Sequence, residues 1–284
     1  MLPQATSLLP DRVLDLPKVD SCLSNLILLA SSTDTRNALV TTSTGMALIA
    51  EVRPAASKVM ALSLVLKSLT NLTQLIYLDL HDNHITGDLP VFNSLSILQV
   101  LKLRNNSFKG SIPLELSKLS ALRVLDLSSN NLSGNIPSSL GNLSGMSTNY
   151  DSSIIFAYNR ANISHKSWRT YWEEFTGMHD LEVYWKESWQ VLVYLNSLMY
   201  FLDLSNNQLS GEIPENLGGL RYLKSLYLSS NRLSGKVARS VGDLQSLESL
   251  DLSHNNFSGE ISQTFANLLQ LTQLNLKDNK FEGR

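Results

Sequence analysis

One phrase recurs along most of this chain and constrains its fold more than any other feature. It is clearest at residues 122–137, which read L-R-V-L-D-L-S-S-N-N-L-S-G-N-I-P. Each copy has an asparagine at the same place, and successive asparagines are 23, 24, 77, 24, 24 and 24 residues apart. These anchoring residues are Asn83, Asn106, Asn130, Asn207, Asn231, Asn255 and Asn279. The chain is therefore a series of similar units with one long interruption.

The phrase L-x-x-L-x-L-x-x-N-x-L at a period of about 24 residues is the signature of a leucine-rich repeat. Its alternating part, Leu125–Ser128, predicts a short strand with every second side chain on the same face. One coil cannot bury its own leucines, but stacked coils bury each other's. The predicted class is α/β: a solenoid of right-handed coils, with short parallel strands on the concave face, interrupted by an island insertion.

The anchoring asparagines are predicted to be structural rather than catalytic. Asn130 stands where the chain leaves the strand, a bend at which backbone donors and acceptors need partners. Its amide should bond the backbone of the adjacent coil, so the seven asparagines should form a ladder. In the same coil Leu125, Leu127, Leu132 and Ile136 should point into the core.

The repeat spacing divides the chain into four parts. Residues 1–60 do not scan as repeats, and we expect an irregular segment that is either poorly ordered or forms a few weak helices, around residues 38–51. Residues 61–143 hold three repeats after a partial lead-in. Residues 144–197 form the island, since the gap of 77 is one repeat plus 53 extra residues. Residues 198–284 hold four further repeats, the last one truncated.

The island differs from the coils in its aromatic content. It contains all four tryptophans, Trp168, Trp172, Trp185 and Trp189. The spacing of residues 168–175 favours a short helix, and residues 181–185 favour a strand. These aromatic side chains either form the island's own small core or stand as exposed anchors for a partner, since Trp and Tyr dominate interface hot spots.

Polar and aromatic side chains between the leucines should project onto the concave face of each strand. In the last four repeats these positions are assigned to Tyr200, Asp203 and Ser205, then Ser225, Tyr227 and Ser229, then Ser249, Asp251 and Ser253, then Gln273, Asn275 and Lys277. A protein ligand could contact this row; the alternative is an ordinary solvated sheet face.

Composition and motifs exclude several other functions. A net charge of -2 and a pI of about 6.2 give no basic stripe for nucleic acid. Cys22 is the single cysteine, so no internal disulfide can form. The motif at residues 81–84, H-D-N-H, is not read as a metal site because Asn83 belongs to the ladder. No cofactor, metal or enzymatic activity is expected.

The chain shows neither an apolar run of membrane-spanning length nor a signal-peptide pattern. Membrane association is therefore expected only through a segment missing from this chain. Acceptor sequences for N-glycosylation are compatible with secretion. They occur at Asn71, Asn105, Asn131, Asn142, Asn162 and Asn256.

The fuller phrase L-x-x-L-x-L-S-x-N-x-L-S-G-x-I-P resembles the plant-specific class of leucine-rich repeat, with its characteristic convex side. The order of parts, repeats then an aromatic island then four repeats, is similar to the ectodomains of plant receptor-like proteins. Val183-Tyr184-Trp185-Lys186 and Gly211-Glu212-Ile213-Pro214 match that pattern. The resemblance implies a kinase-lacking receptor in plant defence or development, on the extracellular side of the plasma membrane.

This resemblance also implies two contact regions. In such proteins the island binds a protein or peptide ligand, which would involve Tyr150, Tyr158, Trp168, Trp172, Trp185 and Lys186. The island and the last repeats recruit a co-receptor kinase ectodomain, which would involve Tyr200, Tyr227, Ser229 and Ser253. The alternative is a secreted protein similar to the polygalacturonase inhibitors, although these resemble an uninterrupted stack with cysteine caps.

Overall fold

A computed structural model describes residues 77–148 and 200–282, together with residues 70, 73 and 75. It also describes the backbone of four strands, at 39–41, 47–51, 181–185 and 188–192. The side chains of the island's tryptophans and tyrosines lie outside this description. So do residues 168–175, where a helix is expected.

The seven coils, together with two strands that precede them, form a continuous nine-stranded sheet on their inner side. Its strands are β1 (Leu39–Thr41), β2 (Ala47–Glu51), β3 (Tyr77–Asp79), β5 (Val100–Lys102), β7 (Val124–Asp126), β11 (Phe201–Asp203), β13 (Ser225–Tyr227), β15 (Ser249–Asp251) and β17 (Gln273–Asn275), adjacent in that order. All neighbours from β2 onward are parallel. Coils one to seven are numbered from β3, β5, β7, β11, β13, β15 and β17. The predicted leucine-rich repeat solenoid is confirmed.

A second, seven-stranded sheet forms one flank of the same coils. Its strands are β4 (Thr86–Asp88), β6 (Ser107–Gly110), β8 (Asn131–Asn135), β12 (Gln208–Gly211), β14 (Arg232–Gly235), β16 (Asn256–Gly259) and β18 (Lys280–Phe281). Within residues 181–192, β9 (Leu181–Trp185) and β10 (Ser188–Leu192) form an antiparallel pair. The strand expected at residues 181–185 is therefore present.

Short 3-10 helices carry the chain across the convex side of the stack. They span Leu114–Lys118, Ser138–Asn142, Glu215–Gly219, Arg239–Asp243 and Gln263–Asn267. A single α-helical turn, α1 (Ser144–Ser147), follows the second of them. Proline precedes the first three helices, and its ring fixes the φ angle from which each turn starts. Ala238 and Ser262 replace proline in later coils and keep a similar extended backbone.

The prediction of weak helix around residues 38–51 is wrong. Strand β2 instead pairs in parallel with β3, with Ile49 beside Tyr77, and β1 pairs antiparallel with β2. The open edge of coil one presents unpaired backbone groups, and a strand satisfies them. That tertiary pairing overrides the local helix preference of the alanine and leucine residues in this segment.

Aliphatic side chains from adjacent coils form one continuous core. Leu125, Leu127, Leu132 and Ile136 are all buried, as expected. The corresponding residues of coil two, Leu101, Leu103, Phe108 and Ile112, are buried beneath them. Burying each such side chain stabilises the fold by roughly 1.5–3 kcal/mol.

From Asn106 onward, each asparagine bonds the backbone of its own coil and of the preceding one. The Asn130 amide nitrogen donates to the carbonyl oxygens of Leu127 and Leu103, each at 3.1 Å, while its Oδ1 accepts the Phe108 N–H at 3.1 Å. The residue before each asparagine has a φ of 52° to 54°, which tightens the bend. A periodic column of amides thus satisfies the backbone at every turn.

The stack continues directly from coil three to coil four, although 77 residues separate them in sequence. Val124 pairs with Phe201 and Asp126 with Asp203. Asn207 bonds across this seam: its amide nitrogen donates to the Leu127 carbonyl at 3.0 Å and its Oδ1 accepts the Leu132 N–H at 2.9 Å. On the convex side, a Cβ at Gly141 would lie 2.0 Å from the Asn216 carbonyl oxygen. The two coils are therefore in close contact.

Replacing Asn207 with alanine should destabilise the chain by roughly 2–4 kcal/mol, because buried backbone groups on both sides of the seam lose their partners. The control is Asn279→Ala in the last coil, where the equivalent amide is only partly buried and water can replace it. Urea unfolding followed by circular dichroism measures both. Equal losses of unfolding free energy in the two variants would show that burial does not determine how much a ladder asparagine stabilises the fold.

Candidate ligand-recognition face

The inner face, meaning the side of the nine-stranded sheet opposite the core, carries three rows of side chains set by strand register. The first row is Tyr77, Val100, Val124, Phe201, Ser225, Ser249 and Gln273. The second row is Asp79, Lys102, Asp126, Asp203, Tyr227, Asp251 and Asn275. Alternation places a third row just beyond the strands, at His81, Arg104, Ser128, Ser205, Ser229, Ser253 and Lys277.

The expected inner-face position of Tyr200 is wrong. Phe201, and not Tyr200, pairs with Val124, and side chains one residue apart point to opposite faces. Tyr200 is 1% exposed and packs within the core, with its ring centroid 5.9 Å from that of Tyr222. The Arg123 guanidinium lies 5.8 Å from the same ring. Tyr200 therefore supports the coil from inside and does not line the inner face.

Accessibility varies along the inner face. Tyr227 and Ser253 are buried, whereas Ser229 is half-buried. In coil seven, Gln273 and Asn275 are half-buried and Lys277 is exposed. The part of this face open to a protein partner therefore lies toward the last coil.

A charge network ties coil one to coil two on the inner face. The Lys102 ammonium lies 3.0 Å from Asp79 Oδ2, and both side chains are buried. His81 bonds Asp79 through its backbone N–H, at 3.1 Å, and through its ring Nδ1. Burial alone would raise the pKa of Asp79, but the hydrogen bonds from His81 and the charge of Lys102 hold that pKa well below its usual range.

Two carboxyl groups lie side by side where coil three meets coil four. Asp126 accepts hydrogen bonds from the Ser128 hydroxyl at 2.6 Å and from the Ser128 N–H at 3.1 Å. Asp203 accepts the Ser205 N–H at 2.9 Å. Burial raises the pKa of Asp126 despite these hydrogen bonds. Burial and the neighbouring Asp126 carboxylate raise the pKa of Asp203 to about 8.

A chain of aromatic and hydroxyl contacts crosses coils four to seven. The rings of Phe201 and Tyr227 meet edge to face, with centroids 5.4 Å apart. The Tyr227 hydroxyl is 2.9 Å from Ser249 Oγ, which is 3.0 Å from Gln273 Oε1. The sequence analysis missed this series of contacts, because the register error at Tyr200 left Phe201 out of the first row.

The structure describes few of the residues assigned to the island site. Trp185 ends β9 and is the register partner of Ser188 in β10. Tyr150, Tyr158, Trp168, Trp172 and Lys186 lie outside the described residues. The assignment of these six residues to ligand binding stays a prediction.

Four of the six predicted glycosylation positions can be located, and all four are exposed. They are Asn105, Asn131, Asn142 and Asn256. Asn71 and Asn162 lie outside the described residues. Asn105 also donates from its amide nitrogen to Asp82 at 2.8 Å.

The described residues contain no helix long and apolar enough to cross a membrane. Within that same part of the chain, no group of three or more histidine, cysteine or acidic side chains is arranged to hold a metal ion.

The repeat geometry agrees with the comparison to known families. A family model described as leucine rich repeat matches residues 74–132 and 221–281, and a second leucine-rich repeat model matches residues 199–220. The chain belongs to the leucine-rich repeat proteins. It is similar to Receptor-like protein 46 of Arabidopsis thaliana, with 45% identity over 171 residues that cover 54% of this chain. The chain covers 20% of that relative's length.

Solved structures of plant receptors share the fold. The ectodomain of the Arabidopsis thaliana receptor kinase GASSHO1/SCHENGEN3, in complex with CASPARIAN STRIP INTEGRITY FACTOR 2, superposes with a TM-score of 0.55 and 28% identity over 76% of this chain and 20% of that one. The plant peptide hormone receptor RGFR1, in complex with RGF2, gives a TM-score of 0.55 and 26% identity over 75% and 26%. The fold is thus that of plant receptor ectodomains.

Replacing Lys102 with methionine should destabilise the chain by roughly 3–5 kcal/mol, because Asp79 keeps its charge in a buried site without the ammonium. The folded-state pKa of Asp79 lies below its unfolded value, so its stabilising contribution is present above about pH 4 and is lost as the pH falls. In the variant this acid-dependent loss should shrink.

The matched control is Lys224→Met, which removes a 2.8 Å pair with Glu248 that is partly open to solvent. Its expected cost is about 1 kcal/mol or less. Chemical unfolding at several pH values measures both variants, and an equal cost for the two lysines would contradict the burial argument.

Proposed function

We propose that this chain is the ligand-recognising part of a plant cell-surface receptor-like protein, on the extracellular side of the plasma membrane, in immune or developmental signalling. It binds a protein or peptide ligand and a co-receptor kinase ectodomain, and it acts by recognition without bond chemistry. The observation that carries the proposal is the 45% identity to Receptor-like protein 46 over 171 residues.

The stack supports this proposal as a rigid scaffold. Parallel pairing continues across the coil three–four seam, so the long insertion leaves and rejoins the solenoid without breaking the sheet. A preorganised surface loses little conformational entropy when a partner binds. The similar ectodomains of GASSHO1/SCHENGEN3 and RGFR1 were both solved with a bound factor, which favours the same kind of partner here.

In this proposal the island supplies the anchors for the ligand. Tryptophan and tyrosine bury a large area with few rotatable bonds, and they dominate measured interface energies. We assign this role to Tyr150, Tyr158, Trp168, Trp172, Trp185 and Lys186. Lys186 follows Trp185 in sequence, and its charge would add specificity more than affinity.

The co-receptor kinase is proposed to bind at the C-terminal end of the inner face. Ser229 and Lys277 can reach a partner there, and small serines allow close approach to the sheet. Tyr227 and Ser253 belong to the same face but are buried, and the Tyr227 hydroxyl is hydrogen-bonded to Ser249. Tyr200 contributes only through the core.

Binding of the chain to purified ectodomains of plant co-receptor kinases, measured by biolayer interferometry, tests the proposal. Lys277→Glu should weaken binding at least about tenfold, which corresponds to about 1.4 kcal/mol. The double variant Trp168→Ala/Trp172→Ala should weaken it similarly if the island forms part of the contact. Glu260→Lys, on the exposed flank, is the control and should bind like the unmodified chain.

Three results would count against the proposal. One is the absence of binding to every co-receptor ectodomain tested. Another is equal binding by all variants, which would exclude these surfaces. Inhibition of a fungal pectinase by the purified chain would instead favour the polygalacturonase-inhibitor alternative.

A further inference from the structure

The Asp126–Asp203 pair occupies a position that the rest of the second row does not repeat. In the described second row from coil three to coil seven, this is the one place where two acidic residues are register partners. Neighbouring strands lie about 4.8 Å apart, so the two side chains stand next to each other. Their exposed fractions are 4% and 5%. Two charges at this separation and this burial repel strongly.

The two cations near the pair are shared with other carboxylates. Lys102 is the register partner of Asp126, yet its ammonium lies 3.0 Å from Asp79. Arg104, one row further on, forms an ion pair with Asp82 at 3.3 Å. On the far side of Asp203 stands Tyr227, a neutral side chain. Lys102 and Arg104 still act to lower the pKa of Asp126, and Arg104 that of Asp203, but burial outweighs them at both carboxyl groups. Among the described residues, the groups facing the pair thus offer incomplete charge compensation.

We propose that Asp126 and Asp203 form a proton-controlled element of the inner face: the pair holds one proton in weakly acidic solution and releases it in weakly alkaline solution, which loosens the seam between coils three and four. The raised pKa values of both carboxyl groups support this reading. The inference goes beyond the proposed receptor function, since it concerns the solenoid itself and holds whatever the chain binds.

The direction of the effect follows from linkage. The pKa of Asp203 is raised in the folded chain to about 8, so the folded state binds a proton more tightly than the unfolded state. The associated stabilisation is present in acid, below the unfolded pKa of about 4, and is lost as the pH rises toward 8. Asp79 acts in the opposite sense, because its contribution is lost as the pH falls. The contributions of Asp79 and of the Asp126–Asp203 pair to stability can therefore be distinguished by their opposite dependence on pH.

Thermal unfolding of the whole chain between pH 5 and pH 9 tests the proposal with three variants. Asp203→Asn and Asp126→Asn keep a side-chain oxygen for the bond from the Ser205 or Ser128 N–H, but remove the paired charge. Asp251→Asn is the matched control. Asp251 accepts the Ser253 N–H at 2.9 Å in the equivalent turn of coil six, but its register partners are Tyr227 and Asn275.

In the unmodified chain Tm should fall as the pH rises from 6 to 9. Asp203→Asn and Asp126→Asn should flatten this slope and raise Tm at pH 9 by roughly 2–8 °C, a moderate stability change for a domain of this size. Asp251→Asn should follow the unmodified chain. An unchanged slope in both pair variants, or equal flattening in all three variants, would overturn the proposal.

Infrared spectroscopy of the unmodified chain gives a second test that does not depend on any variant folding. A protonated carboxyl C=O band should be present at pH 6 and absent at pH 9. If no such band exists at pH 6, the pair holds no proton and the proposal fails.

Hydrogen exchange locates the effect within the fold. The Leu127 N–H donates to the Asp203 carbonyl at 2.9 Å across the seam, and the Leu228 N–H makes the equivalent 2.8 Å bond to Asp251. After correction for intrinsic exchange, protection of Leu127 should fall at pH 9 relative to that of Leu228. Equal changes at the two amides would show that the seam is not the element that responds.

Discussion

The backbone bend at the end of each inner strand is the constraint on which this fold depends. A coil that turns there exposes donors and acceptors that water cannot reach once coils are stacked. From coil two onward, one asparagine per coil satisfies them. Its amide nitrogen donates to carbonyl oxygens of two coils, and its Oδ1 accepts an N–H of the preceding coil. The regular spacing of these asparagines therefore sets the spacing at which coils can stack, and the leucines fill the space between coils.

That constraint explains how an insertion of this length is tolerated. Asn207 makes the same bonds to coil three that Asn130 makes to coil two, so coil four meets its neighbour in the ordinary way. Loop-closure entropy grows only slowly with loop length, so a longer excursion between the coils adds little cost. The close approach at Gly141 shows that the convex side is as tightly packed at this junction as the sheet side.

The parts of the fold that repeat were predictable from sequence, and the parts that break the repeat were not. The burial of Leu125 and its partners follows from period and polarity alone. Tyr200 was assigned to the wrong face because its spacing to Asp203 is three residues and not two; alternation counted from Leu202 and Leu204 gives Phe201 instead. The strand at residues 47–51 was missed because its pairing with β3 depends on a sheet edge, which local composition does not encode. The chemistry of Asp126 and Asp203 also escaped prediction, since it arises only when distant residues become register partners.

The inner face combines acidic residues whose environments push their ionisation in opposite directions. Asp79 gains an ammonium and two hydrogen bonds from His81, and these outweigh the cost of its burial. Asp126 and Asp203 occupy the same repeat position, but their nearest register partner is another carboxyl group. A repeat fixes where a side chain stands and leaves its neighbours to differ from coil to coil. In a solenoid, identical residues at identical positions can therefore acquire different charge states, and each coil can contribute distinct electrostatics to one shared surface.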